Sequence, residues 1–128
     1  MSDCYRDFTE LDVWKLAHEL RLKIYELTKF VPSDEKYNTI SQIRRSASSV
    51  GANIAEGHGR FHYQENIQFC RQARGSLAET RDWLIFINDA KLSSNSNLAN
   101  QCMELALKIA PKLNGYISYL KNQKSITN

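Results

Sequence analysis

Apolar residues recur at alternating steps of three and four along four stretches of this chain, which is the spacing of one face of an α-helix. The four stretches cover about residues 11–31, 39–57, 63–91 and 97–122. In the first stretch the repeating positions are Val13, Ala17, Leu20, Ile24, Leu27 and Val31. The second stretch repeats Ile40, Ile43, Ala47, Val50 and Ile54, the third Phe69, Ala73, Leu77, Thr80, Leu84 and Ile87, and the fourth Leu98, Cys102, Leu105, Ile109, Leu113, Tyr116 and Leu120. Four such apolar faces predict an all-α protein.

The residues between these stretches fit helix boundaries. Pro32 follows the first stretch, and a proline there stops a helix. Thr39 and Gln42 have the spacing of a capping box, which predicts that the second helix begins near Thr39. Gly57 and Gly59 close the second stretch, and glycine reaches the left-handed conformation that ends many helices. We therefore expect the second helix to end at these two glycines.

The last stretch carries an internal proline, Pro111. It removes one backbone hydrogen bond and predicts a kink near residues 107–110. Residues 121–128 are expected to form a frayed tail. Because short loops between long helices make neighbours antiparallel, we expect an up-down-up-down four-helix bundle that occupies residues 1–128 as a single domain.

The size and composition limit what the protein can be. A chain of 128 residues can bury a hydrophobic core of its own. No run approaches the roughly 18 apolar residues of a membrane span, and the charged N-terminus argues against a signal peptide. These features predict a soluble, cytoplasmic protein. Cys4, Cys70 and Cys102 fit neither a disulfide framework nor a zinc pattern, so we expect three reduced thiols.

The net charge of +3 is unevenly distributed. Residues 1–38 hold six Lys or Arg against eight Asp or Glu, whereas residues 93–128 hold four lysines against one glutamate. This asymmetry indicates complementary faces, within one chain or between subunits, and it allows a mild attraction to nucleic acid.

Three of the predicted helices carry more apolar residues than one core-facing stripe requires. The surplus residues are Trp14, Tyr25, Phe30, Trp83, Phe86 and Ile117. The run from Trp83 to Ile87 is apolar all round, which predicts that this end of the third helix is covered on more than one side. Extra apolar surface of this kind indicates self-association.

Motifs that carry chemistry are missing from the sequence. It contains no Glu-x-x-His pair of the kind that binds di-iron in helical bundles, no glycine-rich phosphate loop and no nucleophile elbow. His58 and His62 are four residues apart, but the glycines beside them place them at a helix end. His18 is expected to be an ordinary surface histidine. The sequence therefore predicts a protein that is not an enzyme and has no metal or cofactor.

The second helix is rich in small residues and carries embedded polar side chains. One interpretation is structural: Asn53 bonds across the bundle, and Arg45 and Glu56 pair with other helices. The other interpretation is functional, because the planar guanidinium of arginine donates two hydrogen bonds to a phosphate. In that interpretation a phosphate-binding patch is formed by Arg44, Arg45, Arg60, Arg71 and Arg74.

Several segments together resemble one family. They lie at residues 8–17, 24–37, 42–47, 53–60 and 69–79. The motif positions within them are Trp14, Gln42, Asn53, Glu56, Gly57, Gly75 and Glu79. This pattern is similar to that of the four-helix-bundle proteins encoded in intervening sequences of bacterial 23S ribosomal RNA genes. The resemblance covers about residues 5–92, and the last helix matches only in general character.

The resemblance implies a ring-like homopentamer without an established enzymatic activity. It also implies a relationship to the accessory variability protein of diversity-generating retroelements, a basic pentamer that binds nucleic acid and a reverse transcriptase. Our leading hypothesis is a non-enzymatic homo-oligomer that binds RNA or DNA backbone through the five arginines and the helix-four lysines Lys108 and Lys112. The alternative is a scaffold that holds a partner protein, such as a reverse transcriptase. An enzyme that uses His18, His58 or His62 is the third possibility.

Overall fold

The computed structural model describes residues 7–127, with side chains through residue 126. Four helices dominate it: α1 (Asp12–Thr28), α2 (Ser41–His58), α3 (Tyr63–Asp89) and α4 (Ser96–Thr127). Short 3₁₀ turns lie at Phe8–Glu10 and Ser33–Glu35, and a π-helical turn, Lys36–Ile40, continues into α2. Because no strand occurs over this range, the predicted all-α fold is confirmed.

Contacts between the helices set their directions. Between α1 and α2, Thr28 contacts Arg44 and Trp14 contacts Gly51. Between α2 and α3, Ser46 contacts Thr80 and Gly57 contacts Asn66. Between α3 and α4, Arg74 contacts Asn114 and Gln64 contacts Lys124. In each helix pair the residue numbers rise along one helix as they fall along the other, so consecutive helices are antiparallel. Since α1 also packs against α4, the four helices enclose one core in up-down-up-down order.

The core consists of the predicted apolar stripes. Val13, Ile24, Ile43 and Ile54 are buried there, together with stripe residues of α3 and α4 such as Leu84. Helix formation in a chain of this size depends mainly on burying such faces, because isolated helices of this length are marginal in water. Among the described helices, none combines the length and the apolarity that crossing a membrane demands.

The start of α2 differs from the predicted capping box. Residues 36–40 already form a helical turn of the wider π type, so Thr39 lies inside helical backbone and not at a cap. Its buried hydroxyl donates to the carboxylate of Glu35 in the preceding turn. The capping box predicted from Thr39 and Gln42 is therefore absent, and α2 has no side-chain cap at its start.

Gly57 lies inside α2 for a reason other than the predicted left-handed end. No described glycine has a positive φ, and Gly59, which caps α2, has right-handed helical angles. A Cβ at Gly57 would lie 2.7 Å from Oδ1 of Asn66 and 2.9 Å from Cβ of Phe69. The glycine therefore serves the close approach of α3 to α2.

The last helix is longer than expected. The prediction of a frayed tail over residues 121–128 was wrong, since α4 continues through residues 121–127. Pro111 sits inside this continuous helix at an exposed position. The kink near residues 107–110 stays a prediction.

The surplus apolar residues divide into three groups. Ile117 belongs to the core, contrary to the prediction, because it is 3 % exposed. Trp14 and Trp83 are half-buried and pack on the core from its edges. Tyr25, Phe30 and Phe86 remain exposed, as do Leu22, Ile85 and Leu107. The expected second cover over Ile85 and Phe86 is therefore not supplied by the described part of this chain.

Candidate nucleic-acid interface

The predicted arginine patch is divided by the geometry of the bundle. Arg44 and Arg60 are sixteen positions apart along α2 and its C-terminal extension, which corresponds to roughly 24 Å at 1.5 Å per residue. Arg71 and Arg74 lie on α3 opposite the C-terminal part of α4. Arg44 and Arg45 line a groove with residues of α1, α2 and the π-helical turn, and none of the other three arginines lines it.

A groove of about 630 Å³ runs along the outer junction of α1 and α2. We call it the α1/α2 groove; its lining residues are Arg21, Tyr25, Lys36, Tyr37, Ile40, Ser41, Arg44, Arg45, Ser48, Ser49 and Ala52. The lining contains four cationic side chains, three serine hydroxyls and two tyrosines, and it contains no carboxylate. Such a surface attracts anions because no lining acid offsets the positive field.

Arg44 is held rigidly in the wall of the α1/α2 groove. Its Nε donates a 2.9 Å hydrogen bond to Oγ1 of Thr28, and its guanidinium carbon lies 4.4 Å from the centroid of the Tyr25 ring. The Thr28 hydroxyl in turn donates to the Tyr25 carbonyl. This arrangement fixes the guanidinium plane before any ligand arrives, which reduces the entropy lost on binding.

The other three cations of the groove are held by neutral partners. Arg45 donates to the side-chain oxygen of Gln42, one turn earlier on α2, and not to another helix as expected. Arg21 lies 2.8 Å from Nδ1 of His18, and the ammonium of Lys36 lies 5.6 Å from the Tyr37 ring centroid. Over residues 7–126, no carboxylate forms an ion pair with any of these groove cations.

A smaller basic groove of about 310 Å³ lies between α3 and α4. We call it the α3/α4 groove; it is lined by Gln64, Ile67, Arg71, Lys121, Lys124 and Ser125. Lys124 contacts Gln64 across the groove, and nearby Arg74 donates a 2.9 Å bond to Oδ1 of Asn114. Arg74 therefore ties the two helices together beside the groove.

Arg60 is partly neutralised, unlike the groove cations. Its guanidinium forms a 2.8 Å ion pair with Glu56 and stacks 4.9 Å from the Phe69 centroid. The expectation that Glu56 would pair with another helix was therefore wrong. Asn53 also bonds within α2, to the carbonyl of Ser49 at 2.8 Å, and does not cross the bundle. At i,i+4 spacing such local partners are closer than any on another helix.

The remaining predicted residues lie outside both grooves. Lys108 and Lys112 are exposed on α4 and line neither groove. Among the motif residues, Gly75 is exposed on α3 with nothing within 4 Å of an added Cβ, and Glu79 accepts a 3.4 Å bond from the indole of Trp83. Trp14 packs over Gly51 and stacks on His18 with ring centroids 5.0 Å apart.

The histidines and cysteines form no cluster with further ligands. Across residues 7–126, no group of three His, Cys, Asp or Glu side chains is arranged to hold a metal ion. Burial raises the pKa of Cys70 to about 12 and that of Cys102 to about 11, so both thiols are protonated at neutral pH. Both pack as small apolar groups, as predicted, while Cys4 lies outside the described residues.

The sequence interpretation did not assign several groove residues to the site, among them Arg21, Lys36 and Tyr37. Arg21 and Tyr25 are one turn apart on α1, beside the apolar stripe, which is a signal for a shared exposed face. Lys36 and Tyr37 follow a proline-containing loop, and nothing local indicates that a π-helical turn brings both to the groove.

The fold and the two grooves define the class of this protein: a four-helix-bundle protein with basic surfaces at its helix junctions. A sequence profile of the 23S rRNA-intervening sequence protein family matches residues 9–115, and the chain belongs to that family. This confirms the resemblance stated above, while the relationship to retroelement accessory proteins stays a prediction. No protein with a curated description matches the chain.

A solved structure shows the same fold. It is the 1.70 Å crystal structure of a protein of unknown function from the S23 ribosomal protein family of Bacteroides thetaiotaomicron. The two chains are 24 % identical and superpose with a TM-score of 0.73, over 82 % of this chain and 97 % of the other. At that identity the similarity shows the shared fold alone.

Proposed function

We propose that this protein binds the phosphate backbone of RNA or DNA through its basic grooves and catalyses no reaction. The observation that carries the proposal is the α1/α2 groove, in which four cations meet without a carboxylate in the lining. Nucleic acids present closely spaced phosphates, and each neutralised phosphate releases condensed counterions. A phosphate gains most from cations that have no carboxylate partner within the protein, because it does not compete with an existing ion pair.

The α3/α4 groove supports the same function from another side of the bundle. Arg71, Lys121 and Lys124 line this groove and supply three more cations. Two basic grooves on one bundle give a strand two places to bind, which raises the overall affinity when both are engaged. The exposed Lys108 and Lys112 on α4 add diffuse positive charge.

Binding to a fluorescently labelled, structured RNA at low and high salt tests this function. The wild-type protein is expected to bind at low salt and to weaken steeply as salt is raised. Lys36→Gln combined with Arg45→Gln removes two groove charges that make few contacts within the bundle. Lys15→Gln combined with Lys29→Gln removes two exposed charges outside the groove and serves as the matched control. Equal affinities for the two double variants, or no binding at low salt, would contradict the proposal.

Self-association as a ring, with five copies as the resemblance implies, is the second part of the proposal. Ile85, Phe86 and Leu107 are 46 %, 43 % and 49 % exposed, and packing between copies would bury this apolar surface. Light scattering is expected to give a mass several times that of one chain. Phe86→Glu should reduce that mass, and a wild-type monomer would refute the ring.

A protein-interaction scaffold is the second candidate function, and the same exposed apolar residues favour it. In that case a partner protein, such as a reverse transcriptase, covers the apolar surface. Pull-down from the native host with and without nuclease treatment separates the two functions. A partner that is retained after nuclease treatment and lost with Phe86→Glu supports the scaffold.

A further inference from the structure

We infer that the α1/α2 groove takes an unpaired nucleotide, whose base stacks on the ring of Tyr37 while its phosphates meet the groove cations. This inference rests on the proposed function and names its ligand class, single-stranded nucleic acid. It predicts a preference for unpaired bases, which the charge of the groove does not give, since duplexes and single strands both carry backbone phosphates.

The exposure of Tyr37 is the first observation behind the inference. Its side chain is 87 % exposed although it lines a groove, whereas Tyr63 and Trp14 pack partly against the core. An exposed aromatic ring contributes little to folding, because it buries almost no apolar area. A ring in this state offers its faces to a flat ligand, and every nucleic-acid base has a complementary face.

The position of Tyr37 among cations is the second observation. The Lys36 ammonium lies 5.6 Å from the Tyr37 ring centroid, and Arg44 and Arg45 line the same groove. In a nucleotide the base and its phosphate are joined through one sugar, so a site needs a ring and a cation side by side. When a base stacks on Tyr37, the Lys36 ammonium moves from the ring to the neighbouring phosphate.

The backbone explains how two consecutive side chains reach the same groove. Lys36 and Tyr37 begin the π-helical turn, which is wider than an α-helical turn and is often found at functional sites. Thr39 and Ile40, the last two residues of that turn, are buried and anchor it to the bundle. The exposed start of the turn is thereby held in place by its buried end.

The size of the groove agrees with such a ligand. Pockets for small ligands measure about 300–1,000 Å³, and the α1/α2 groove has about 630 Å³. In a duplex the bases stack on each other, so a protein can contact only the phosphates, the sugars and the base edges in the grooves. An unpaired strand can turn a base outward, and base stacking on aromatic rings is the usual mode of single-strand binding.

Fluorescence anisotropy with the full chain tests the inference with three probes of equal length: a single-stranded RNA, the corresponding duplex, and a strand of abasic residues. Single-stranded DNA is measured as well, because the bases of DNA and RNA can both stack on a tyrosine ring. We expect the single strands to bind more tightly than the duplex and the abasic strand. Tyr37→Leu should weaken binding of the single strand about tenfold and leave the duplex unchanged.

Two further variants make the result specific. Phe61→Leu is the matched control, because Phe61 is also 87 % exposed but lies outside the α1/α2 groove. The Phe61→Leu variant should bind the single strand as tightly as the wild type does. Tyr37→Phe keeps the ring and should retain single-strand affinity. Circular dichroism checks that each variant is folded.

The outcomes separate the inference from the proposed function. If the duplex and the abasic strand bind as tightly as the single strand and weaken with salt, the stacking inference is wrong and backbone binding stands. A Tyr37→Leu variant with wild-type affinity for every probe has the same meaning. If no probe binds at low salt, both proposals fail.

Discussion

Gly57 on α2 lies so close to Asn66 on α3 that a Cβ atom added to the glycine would stand 2.7 Å from the side-chain oxygen of Asn66 and 3.1 Å from its backbone oxygen. The Phe69 Cβ, at 2.9 Å, closes the same space. Because two of these three atoms are backbone or fixed directly to it, they cannot move aside without shifting α3.

Gly57→Ala is therefore expected to destabilise the protein by about 1–3 kcal/mol, as overpacking does. Gly75→Ala is the control: Gly75 also lies within a helix, but an added Cβ there has nothing within 4 Å. It should stabilise by about 0.5–1 kcal/mol, because alanine favours the helix. Urea unfolding of both variants gives the comparison, and changes of the same sign would contradict this account.

A buried pair of hydroxyl groups joins α2 to α3 nearer their other ends. The Oγ atoms of Ser46 and Thr80 are 2.9 Å apart, and both residues are buried. Thr80→Val removes this bond, while the Ser46 hydroxyl keeps its 3.2 Å bond to the Ile43 carbonyl. The substitution is therefore expected to cost about 0.5–1.5 kcal/mol. In a double-mutant cycle with Ser46→Ala, the second substitution should cost less once the first is present. Strictly additive effects would mean that the two hydroxyls do not interact.

Lys91 ends α3 in a left-handed conformation, with φ of 54°, the only positive φ of a non-glycine residue between residues 7 and 127. The N–H groups of Lys91 and Leu92 donate to the carbonyls of Asn88 and Ile87, the pattern of a Schellman motif. Glycine avoids the steric cost of this conformation, so Lys91→Gly should raise the free energy of unfolding by about 1 kcal/mol. Lys108→Gly, in the interior of α4, should lower it by about the same amount. If Lys91→Gly lowered the free energy of unfolding, the left-handed conformation of Lys91 would not be strained.

The buried thiols give the fold a dependence on alkaline pH. Burial raises the pKa of Cys70 from 9.0 to about 12 and that of Cys102 from 9.0 to about 11. Below about pH 9 both the folded and the unfolded chain keep these protons, so the thiols do not change stability. Above it the unfolded chain ionises first, and stability falls as pH rises towards 11.

Urea unfolding at pH 8 and pH 10 measures this effect. A Cys70→Ala, Cys102→Ala variant should lose less stability between the two pH values than the wild type. In the Cys4→Ser background, the reaction of the remaining thiols with a disulfide reagent at pH 8 should be as slow as unfolding. Rapid labelling of the folded protein would show that the two thiols are accessible.

The helical stripes could be predicted because they depend on spacing alone. Val13, Ile24, Ile43 and Ile54 are buried as their periodicity indicates, and a period of 3.6 residues fixes which face they share. The ends of the helices could be predicted less well than the stripes, because the local pattern at Thr39 is compatible with a cap and with an interior position. The π-helical turn is decided by how that segment packs, which no local signal records.

The candidate site could be predicted only in part. Arg44 and Arg45 were found from their residue type, but grouping them with Arg60 ignored the length of the helix that separates them. Arg60 is offset by Glu56, a pairing that i,i+4 spacing in the sequence does show. Tyr37 belonged to the family pattern but was not assigned to a site, because the α1 and α2 residues that line the groove with it come near it only in the folded bundle.

The salt dependence of RNA affinity tests the central claim, that groove cations neutralise backbone phosphates, most directly. Plotting the logarithm of the binding constant against that of the salt concentration gives a slope that counts neutralised phosphates. The Lys36→Gln, Arg45→Gln variant should reduce this slope by about two, about one for each lost phosphate contact, while the Lys15→Gln, Lys29→Gln control keeps the wild-type slope. Identical slopes for all three proteins would contradict the claim.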